Sequence, residues 1–446
     1  MIVYNLFPLL AGPFPKWVPH IERAAAMGFD WLFVNPVQRP GASGSIYSIA
    51  DYFELNPALI EPPDPRSAPD QLRSVLGVAR DRGMRPMADL VINHCATDSA
   101  LVRDHPDWIA FDSGGALIHP SCQQDGETVV WFDLAELDHR GTRDPEGLYQ
   151  YCLGVVRHLL GLGFEGFRCD AAYQLPAELW RRLIAETKNE RPDTVFVAET
   201  LGCTAWETAA TVAAGFDFVF NSSKWWDFRS HWLLEQRKLV GELVPSIGFP
   251  ESHDTPRLAD EMNGNPDALR LWYLFIAAFS AGCLMPVGFE FGFRRALHVV
   301  STRPEDWETT SIDLREFITE VNRLKANQPV FREECALLLL PSSNPAVLIM
   351  WRGSAMAGQE ALLFFNTDFW NDQHVEVNDL RAFVQSGQPL VDVSPEFQMD
   401  FVAVAPFSYQ LRPGQGLVLV TPSPSDTPIR LGWQRSQNDG VRSLRS

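Results

Sequence analysis

Positive charge is scarce in this sequence of 446 residues. It contains 37 Lys and Arg against 56 Asp and Glu, which gives a formal net charge of -19 at neutral pH. Nucleic acid backbones and anionic membrane surfaces carry negative charge themselves, so they are repelled by a surface of this sign. The charge balance argues against nucleic acid or an anionic membrane as the partner of this protein.

Long hydrophobic runs and a basic leader are also missing. No apolar run approaches the roughly 20 residues that a membrane-spanning helix requires. The first eight residues are apolar, but no basic segment precedes them, and the first cation of the chain is Lys16. We interpret this start as a buried strand rather than a secretion signal, and we expect a cytoplasmic protein.

Cysteines are few and follow no metal-binding or redox pattern. The odd number of seven does not suggest a disulfide framework, and the absence of a CxxC pair excludes the common zinc spacings. The residues concerned are Cys95, Cys122, Cys152, Cys169, Cys203, Cys283 and Cys335. We expect free thiols in a reducing compartment.

The apolar residues that are present are arranged in repeating units. From residue 1 to about 327, short apolar runs alternate with amphipathic stretches, which is typical of β-α units and a parallel sheet. The candidate strands are Ile2–Phe7, Trp31–Val37, Arg85–Ile92, Phe164–Asp170, Thr194–Glu199, Phe216–Phe220, Ser246–Phe249 and Gly282–Val287. Eight such units predict an α/β fold, a (β/α)8 TIM barrel, whose functional site lies at the carboxyl ends of the strands.

Two further regions interrupt or follow the barrel. The segment of about 95–143, after the third strand, is too long for an ordinary βα loop and predicts a small lobe, in which Val129–Leu134 would add a short strand or a cleft wall. Alternating strands and turns predict a C-terminal antiparallel β-sandwich domain at 331–421, and the polar residues 422–446 are expected to form a tail. The strands expected in the C-terminal domain are Ala336–Leu340, Val347–Trp351, Ala361–Asn366, Phe401–Ala405 and Gly416–Val420.

Arg168 and Asp170 end the fourth candidate strand. Residues two apart on a strand point to the same side, so the guanidinium should lie beside the carboxylate and keep it ionised. An ionised, positioned carboxylate is what a nucleophile requires. The structural alternative is that Asp170 caps the helix that rises from Pro176.

Two more carboxylates follow candidate strands at the same end of the barrel. Glu199 ends the fifth strand, and Asp254 follows the seventh. Several acids in one cleft do not all ionise easily, and Glu199 has no cation next to it in the sequence, so we expect its pKa to be raised. An ionised and a protonated carboxyl group are the pair that a retaining glycosidic displacement needs, which assigns Asp170 as nucleophile and Glu199 as general acid and then base. Asp254 would then bind sugar hydroxyls near the reacting carbon.

Two neighbouring stretches add weaker signals. The third strand ends in the run Asp89 to His94, which alone is read as a turn with a satisfied histidine. Tyr47 follows the second strand and offers a ring for stacking, although single aromatic residues after a strand usually serve packing.

These stretches, in this order, resemble the α-amylase superfamily, glycoside hydrolase family 13. Its four sequence regions are matched by Asp89, Asn93 and His94; by Gly166, Arg168, Asp170 and Ala171; by Glu199; and by His253 and Asp254. The resemblance implies a retaining enzyme with Asp170, Glu199 and Asp254 as its catalytic residues. It also implies that Tyr47, Asp89, His94, Arg168 and His253 bind the sugar in the first subsite.

The chain departs from the family pattern after the second region. Typical amylases carry a Lys-His pair there that contributes to the cleft and to a calcium site, whereas this chain has Tyr173 and Gln174. We therefore expect no cofactor and no metal, with calcium as the alternative. The Tyr47 segment and Gly288–Phe291 resemble the bacterial maltosyltransferase branch, which uses maltose 1-phosphate.

The sequence thus predicts an enzyme that cleaves or transfers α-1,4-linked glucosides of maltooligosaccharides or α-glucans through a glycosyl-enzyme. The alternatives are a maltosyltransferase with a maltose 1-phosphate type of donor, and a non-catalytic amylase-like binding subunit. Metal-dependent hydrolysis by His94 and His253 would require a tighter ligand cluster.

Overall fold

A closed barrel of parallel strands forms the larger part of the molecule. The computed structural model describes residues 1–124 and 127–422, and within them eight strands pair in the order of the sequence until the last meets the first. The barrel strands are Ile2–Leu6, Trp31–Val34, Arg85–Leu90, Gly166–Cys169, Val195–Ala198, Phe218–Phe220, Ser246–Gly248 and Gly282–Pro286. Each lies within a predicted strand, so the (β/α)8 barrel is confirmed.

Helices surround this barrel and carry the signals that define their ends. Asp144 caps the helix Pro145–Leu162, since its side chain accepts a hydrogen bond from the Gly147 backbone N–H, and the helix ends at Gly163 with φ +108°. Both ends can be predicted from the sequence, because aspartate and proline are common where helices begin and glycine is common where they end. The α-helices are Pro8–Ala11, Val18–Ala26, Ala68–Asp81, Ala100–Asp104, Pro145–Leu162, Ala177–Glu190, Ala205–Val212, Trp232–Val240, Leu258–Glu261, Pro266–Phe279 and Arg315–Asn327.

The segment after the third barrel strand folds as short hairpins and turns. His94–Ala96 pairs with Leu134–Glu136, and Ser121–Gln124 pairs with Glu127–Val130, both antiparallel. The expected strand in Val129–Leu134 is divided between the ends of two strands, because the chain turns at 131–133, where the Leu134 N–H donates to the Trp131 carbonyl. The first of these pairs begins at His94, directly after the third barrel strand ends at Leu90, and so lies at the carboxyl end of that strand.

The C-terminal region is an antiparallel sheet with a second, smaller sheet. Ala336–Leu340, Val347–Ser354, Gln359–Asn366, Gly416–Val420 and Val391–Asp392 pair in that order, and Gln373–Val377 pairs with Phe407–Leu411. The antiparallel domain is confirmed, and the predicted tail lies, from residue 423 on, outside the described residues.

One predicted strand, Phe401–Ala405, is wrong. Val402 and Val404 do pack on the core of this domain, whereas Phe401 is exposed, so the alternation in the sequence is real. The segment runs beside a turn and not beside a strand, as the Leu380 N–H to Val404 carbonyl hydrogen bond shows. The strand begins only after Pro406, at Phe407.

In the described part of the chain, no helix combines the length and the apolar character needed to cross a membrane.

Candidate active site

The predicted site residues come from five loops or strand ends on one face of the barrel. Arg168 lies on the fourth strand opposite Asp89 on the third, and Cys169, which precedes Asp170, lies opposite Ala198, which precedes Glu199. This register places Asp89, Asp170 and Glu199 at the carboxyl ends of three neighbouring strands. His253 and Asp254 follow the seventh strand, and Tyr47 follows the second.

The Arg168 guanidinium is the centre of the cluster. Its Nη1 lies 2.9 Å from Asp89 Oδ1 and 2.6 Å from Asp170 Oδ1, and its Nη2 lies 3.7 Å from Glu199 Oε2 and 4.0 Å from Asp254 Oδ2. The Arg168 side chain is only 5% exposed and Asp89, Asp170 and Glu199 are little more so, which means that these charges interact with little screening by water, whereas the side chain of Asp254 is 56% exposed. The predicted contact between Arg168 and Asp170 is present.

A second group of hydrogen bonds surrounds the Tyr47 hydroxyl. The hydroxyl donates to Asp89 Oδ2 at 2.6 Å, accepts from Asn35 Nδ2 at 2.9 Å and lies 2.6 Å from His253 Nε2. The same His253 nitrogen lies 2.9 Å from Asp254 Oδ2. Burial raises the pKa of Tyr47 well above its usual value, so this hydroxyl keeps its proton.

Two backbone N–H groups donate to the Glu199 carboxyl group and hold it in place. Its Oε2 accepts from the Ala171 N–H and its Oε1 from the Leu201 N–H, both at 2.8 Å. Burial, opposed by the charge of Arg168 and reinforced by that of Asp170, raises the pKa of Glu199 to about 7. The direction agrees with the sequence-based expectation, but its reason differs, because Arg168 also reaches Glu199 and desolvation outweighs it.

Asp89 and His94 lie behind the reacting groups. Burial raises the pKa of Asp89 to about 6, although the Arg168 charge opposes this. His94 is 5% exposed, its Nε2 lies 3.1 Å from the Tyr47 carbonyl oxygen, and burial lowers the pKa of the ring. His94 is therefore a neutral imidazole that supports the Tyr47 segment through the contact of its Nε2 with the Tyr47 carbonyl oxygen.

The two alternative readings of these residues find no support in the geometry. The helix Ala177–Glu190 begins after Pro176 without a side-chain cap, so Asp170 does not serve as one. Within residues 1–124 and 127–422, no three His, Cys, Asp or Glu side chains are grouped so that they could hold a metal ion.

Sequence reasoning missed several residues that position the site, and it named Ala171 as part of a motif without predicting its contact with Glu199. Asn35 holds the Tyr47 hydroxyl, and Ala171 presents its N–H to Glu199 from a left-handed conformation with φ +40°. Glu251 and Arg257, each 1% exposed, form an ion pair of 2.7 Å that spans the His253–Asp254 loop. Both flank that motif in the sequence, and charged residues so close to an apolar strand are a signal of buried pairing.

The family's calcium site can be tested against the residues present. Asn93 Oδ1 is buried, and none of the described groups hydrogen-bonds to it. However, the Asn93 amide donates to Gln174 Oε1 at 3.0 Å, and the Arg140 guanidinium donates to the Gln174 carbonyl at 2.7 Å. Calcium requires six or more oxygen ligands, whereas these residues offer one unpaired oxygen, Asn93 Oδ1, and the positive Arg140 guanidinium lies at the Gln174 backbone carbonyl, so they do not fit the ion.

The chain is similar to known proteins in both sequence and fold. Residues 2–113 match the family model for the glucanotransferase domain of glycogen debranching enzyme. The chain is 26% identical over 423 residues to an alpha-1,4-glucan:maltose-1-phosphate maltosyltransferase of Burkholderia pseudomallei, covering 91% of this chain and 35% of that protein. It is 24% identical over 304 residues to a cyclomaltodextrinase of Geobacillus thermopakistaniensis, covering 62% of this chain and 48% of that protein.

Solved structures share the whole architecture. A noncanonic maltogenic alpha-amylase of Thermotoga neapolitana superposes with a TM-score of 0.75 at 18% identity, covering 94% of this chain and 98% of that one. An alpha-amylase of H. orenii superposes with a TM-score of 0.76 at 14% identity, covering 94% and 99%. The chain spans about a third to about half the length of the curated relatives it matches, with 35%, 53% and 55% for three of them. The barrel, the motif residues in its cleft and these similarities confirm the resemblance to the α-amylase superfamily, glycoside hydrolase family 13.

Proposed function

We propose that the chain is a retaining glycosidase or transglycosidase that acts on α-1,4-glucosidic linkages of maltooligosaccharides or α-glucans. One observation carries this proposal: a carboxylate paired with Arg168 at 2.6 Å and a carboxyl group with a pKa of about 7 end neighbouring strands of one cleft. An ionised acid beside a protonated one is the pair that glycosidic displacement with retention requires.

The first half of the reaction forms a covalent intermediate. An Asp170 carboxylate oxygen attacks the anomeric carbon, the bond from that carbon to the glycosidic oxygen breaks, and the Glu199 proton moves to that oxygen as it leaves. Arg168 and the Tyr47 hydroxyl hold Asp89, and we assign His253 and Asp254, which lie 2.9 Å apart, to the sugar hydroxyls next to the reacting carbon.

The second half releases the sugar. An incoming hydroxyl, of water or of a second sugar, gives its proton to the Glu199 carboxylate while its oxygen bonds to the anomeric carbon and the ester to Asp170 breaks. Both carboxyl groups return to their initial states. Hydrolysis and transfer thus differ only in the identity of the incoming hydroxyl.

A donor with phosphate as leaving group is the second candidate. It is supported by the relatives named alpha-1,4-glucan:maltose-1-phosphate maltosyltransferase, one of which aligns with 91% of this chain. A non-catalytic binding subunit is less well supported, because Asp170, Glu199 and Asp254 are all retained in the cleft. We further propose, from the charge of -19 and the seven unpaired thiols, a cytoplasmic protein without a nucleic acid partner.

Product analysis tests this proposal. Purified protein is incubated with maltooligosaccharides, and separately with maltose 1-phosphate plus a glucan acceptor, and the products are separated by chromatography. We expect Asp170→Asn, Glu199→Gln and Asp254→Asn each to lose orders of magnitude in rate. Asp400→Asn, an exposed acid of the C-terminal domain, is the matched control. Near-native rates in any of the three cleft variants would remove that residue from the mechanism.

The stereochemical outcome is an independent test. Proton NMR in the first minutes should show the α-anomer as the first product, because adjacent strands favour the narrow carboxyl separation of retaining enzymes. Glu199→Ala should accumulate a covalent adduct on Asp170 with a glycosyl fluoride, since fluoride leaves without an acid. A β-anomer as first product would end the assignment of Asp170 as nucleophile.

A further inference from the structure

Two buried asparagines join the core of the barrel to the Tyr47 hydroxyl. Asn5 lies on the first barrel strand and Asn35 directly follows the second, and both side chains are 0% exposed. Asn5 Nδ2 donates to Asn35 Oδ1 at 2.9 Å, and Asn35 Nδ2 donates to the Tyr47 hydroxyl, also at 2.9 Å. Neither asparagine takes part in the proposed reaction, so any contribution to it passes through Tyr47.

A backbone carbonyl fixes the direction of these hydrogen bonds. Asn5 Nδ2 lies 3.3 Å from the Phe33 carbonyl oxygen, which can only accept, so the nitrogen of Asn5 and not its oxygen faces this side. Asn5 Oδ1 has no hydrogen-bond partner among the described groups, so nothing there favours the opposite orientation. The oxygen of Asn35 must then face Asn5, and its nitrogen must face Tyr47.

This direction decides where the single proton of the Tyr47 hydroxyl goes. Because Asn35 already donates to the oxygen, the proton points elsewhere, and Asp89 Oδ2 accepts it at 2.6 Å. Both oxygens of Asp89 also accept from Arg168 Nη1, at 2.9 and 3.2 Å, as an ionised carboxylate does. The Tyr47 oxygen therefore faces its third neighbour, His253, with a lone pair and not with a proton.

His253 must then carry a proton on Nε2. This nitrogen lies 2.6 Å from the Tyr47 oxygen and 2.9 Å from Asp254 Oδ2, and both of these oxygens are left to accept. A bare nitrogen would place its lone pair against theirs, whereas an N–H donates to them. Burial would raise the pKa of Asp254, but the charge and the hydrogen bond of His253 outweigh burial and lower that pKa. The Nε2 proton thus keeps Asp254 in its carboxylate form.

Resting on the proposed function, we propose that Asn35 is a positioning residue that sets the direction of the hydrogen bonds in the first sugar subsite. Held by Asn5, it directs the Tyr47 proton away from itself and toward Asp89. The Tyr47 oxygen then accepts from His253, which is thereby oriented in the cleft as a hydrogen-bond donor. Asn35 acts through Tyr47 alone, because its own side chain has no exposed surface.

Two substitutions at Asn35 separate hydrogen-bond direction from packing. Asn35→Asp keeps the shape but removes the donor, so the Tyr47 proton can turn away from Asp89, whereas Asn35→Ala removes the side chain and leaves that proton where it is. We expect kcat/KM for fluoride release from maltosyl fluoride to fall about a hundredfold in Asn35→Asp and about tenfold in Asn35→Ala. A packing role predicts the opposite order, because alanine leaves a cavity, and that order would overturn the proposal.

Asn322→Asp is the matched control for the burial of a carboxylate. Asn322 is 1% exposed and also bonds a tyrosine, but in the outer layer of helices and in the opposite direction, since the Tyr273 hydroxyl donates to Asn322 Oδ1 at 2.6 Å. Melting curves establish that the variants are folded, and Asn322→Asp should keep the kcat/KM of the wild type. Equal losses of kcat/KM in Asn35→Asp and Asn322→Asp would overturn the positioning role.

A double-variant cycle tests whether the effect passes through the Tyr47 hydroxyl. Tyr47→Phe removes this hydroxyl and keeps the ring, so in that background Asn35→Asp should change kcat/KM by less than about threefold. A structural effect of Asn35 would add in full to that of Tyr47→Phe. A loss as large as in the wild-type background would therefore overturn the positioning role.

Nitrogen NMR of the resting protein tests the direction without any substrate. Histidine labelled with nitrogen-15 is observed at pH 8, above the pKa of about 6 to which burial raises Asp89, and His253→Gln identifies the signals of this ring. We expect a proton on His253 Nε2, and an unprotonated Nε2 would overturn the direction assigned here. Absence of Asp170-dependent fluoride release in the wild type would instead overturn the proposed function, so the two failures are distinguishable.

Discussion

At the scale of single residues, the cleft depends on one guanidinium that lies near four carboxylates. Arg168 contacts Asp89 and Asp170 directly and lies within 4.0 Å of Glu199 and Asp254. A planar group with five donors can serve several acids at once, whereas a lysine ammonium would serve fewer in fixed directions. The sequence predicted the contact within the Arg168–Asp170 pair, because spacing on one strand fixes it, but not the reach across neighbouring strands, which depends on barrel curvature.

The raised pKa of Glu199 makes the activity depend on pH. A general acid with a pKa of about 7 is protonated below neutrality, so kcat/KM should fall tenfold per pH unit above about pH 7. A pH series of kcat/KM with a maltooligosaccharide checks this. With a glycosyl fluoride the first step needs no acid, so the alkaline limb should move or flatten for that donor. An alkaline limb unchanged between the two donors would contradict the assignment.

The same shift has a consequence for stability. A carboxyl group whose pKa rises from 4.5 to about 7 on folding stabilises the fold at low pH, and this contribution is lost as the pH rises through 7. Glu199→Gln removes the titration, so its melting temperature relative to the wild type should increase between pH 5 and pH 8. Thermal melts of both proteins at these two pH values measure the difference, and a difference that is constant or decreases would contradict the raised pKa.

Ala171 provides a backbone prediction. Its left-handed conformation, with φ +40° and ψ 47°, is one that β-branched residues rarely adopt, and its N–H holds Glu199 Oε2 at 2.8 Å. Ala171→Val should lower kcat/KM at least about tenfold and destabilise the protein, whereas Ala171→Gly should fold and remain active, since glycine accepts this conformation. Kinetics and melting curves of the pair test it, and a fully active valine variant would show that the backbone adjusts without moving the acid.

At the scale of elements, the loop that carries His253 and Asp254 is fixed from behind. Glu251 Oε1 accepts from Arg257 Nη1 at 2.7 Å, and its Oε2 accepts from the Leu258 N–H at 2.6 Å. The Arg257 guanidinium also donates to the Val287 and Arg295 carbonyls at 3.0 and 3.1 Å, which joins the loop to the segment after the eighth strand. Every polar atom named here is paired, which is what a fully buried ion pair needs.

Removing one partner of this pair should be costly. Arg257→Met leaves the Glu251 carboxylate buried without its cation, and we expect about 3–5 kcal/mol of lost stability, with lower activity because Asp254 loses its support. The double variant Glu251→Gln/Arg257→Met should regain part of that stability, since no uncompensated charge remains. Denaturant unfolding of the single and double variants measures the coupling, and a single variant as stable as the wild type would contradict the role.

The same scale shows why sequence reasoning succeeds in the barrel and is weaker in the C-terminal domain. Barrel strands are covered on both faces, so they read as continuous apolar runs such as Trp31–Val34, and each run has a neighbour fixed by chain order. In the C-terminal sheets, pairing joins distant segments, and Gln373–Val377, with only one buried face, was not predicted. Alternation identifies a buried face, as at Phe401–Ala405, but not a hydrogen-bonded partner.

At the scale of the whole molecule, the barrel and the C-terminal domain meet at the end of the helix Pro266–Phe279. Its last carbonyls would be unsatisfied, and cations from three elements bind them. Lys325 Nζ donates to Ala277 and Ser280 at 2.8 and 2.7 Å, Arg237 donates to Phe279 at 3.1 Å, and Arg352 of the C-terminal domain donates to Ala278. The two units are therefore joined in part through this helix end, in addition to contacts such as that of Asn265 Nδ2 with the Phe369 carbonyl, and no local sequence pattern reveals these links.

A second junction, between the small lobe and the barrel, determines the expected response to metal removal. The Arg140 guanidinium of the lobe donates to the Gln174 carbonyl at 2.7 Å, in the turn after Asp170, and so connects the two with a cation that belongs to the chain.

A structural calcium ion would stabilise the fold by mass action, and its removal would lower the melting temperature. We expect EDTA to change neither activity nor melting temperature measurably, because the Arg140 guanidinium already binds the Gln174 carbonyl and the Asn93 amide donates to Gln174 Oε1, which leaves Asn93 Oδ1 as a single unpaired oxygen among these groups. Activity assays and thermal melts in EDTA, in added calcium and in buffer alone test this, with Arg140→Ala expected to lower the melting temperature equally in all three. A loss of melting temperature in EDTA that calcium restores would show that an ion, and not the arginine, joins the lobe to the barrel.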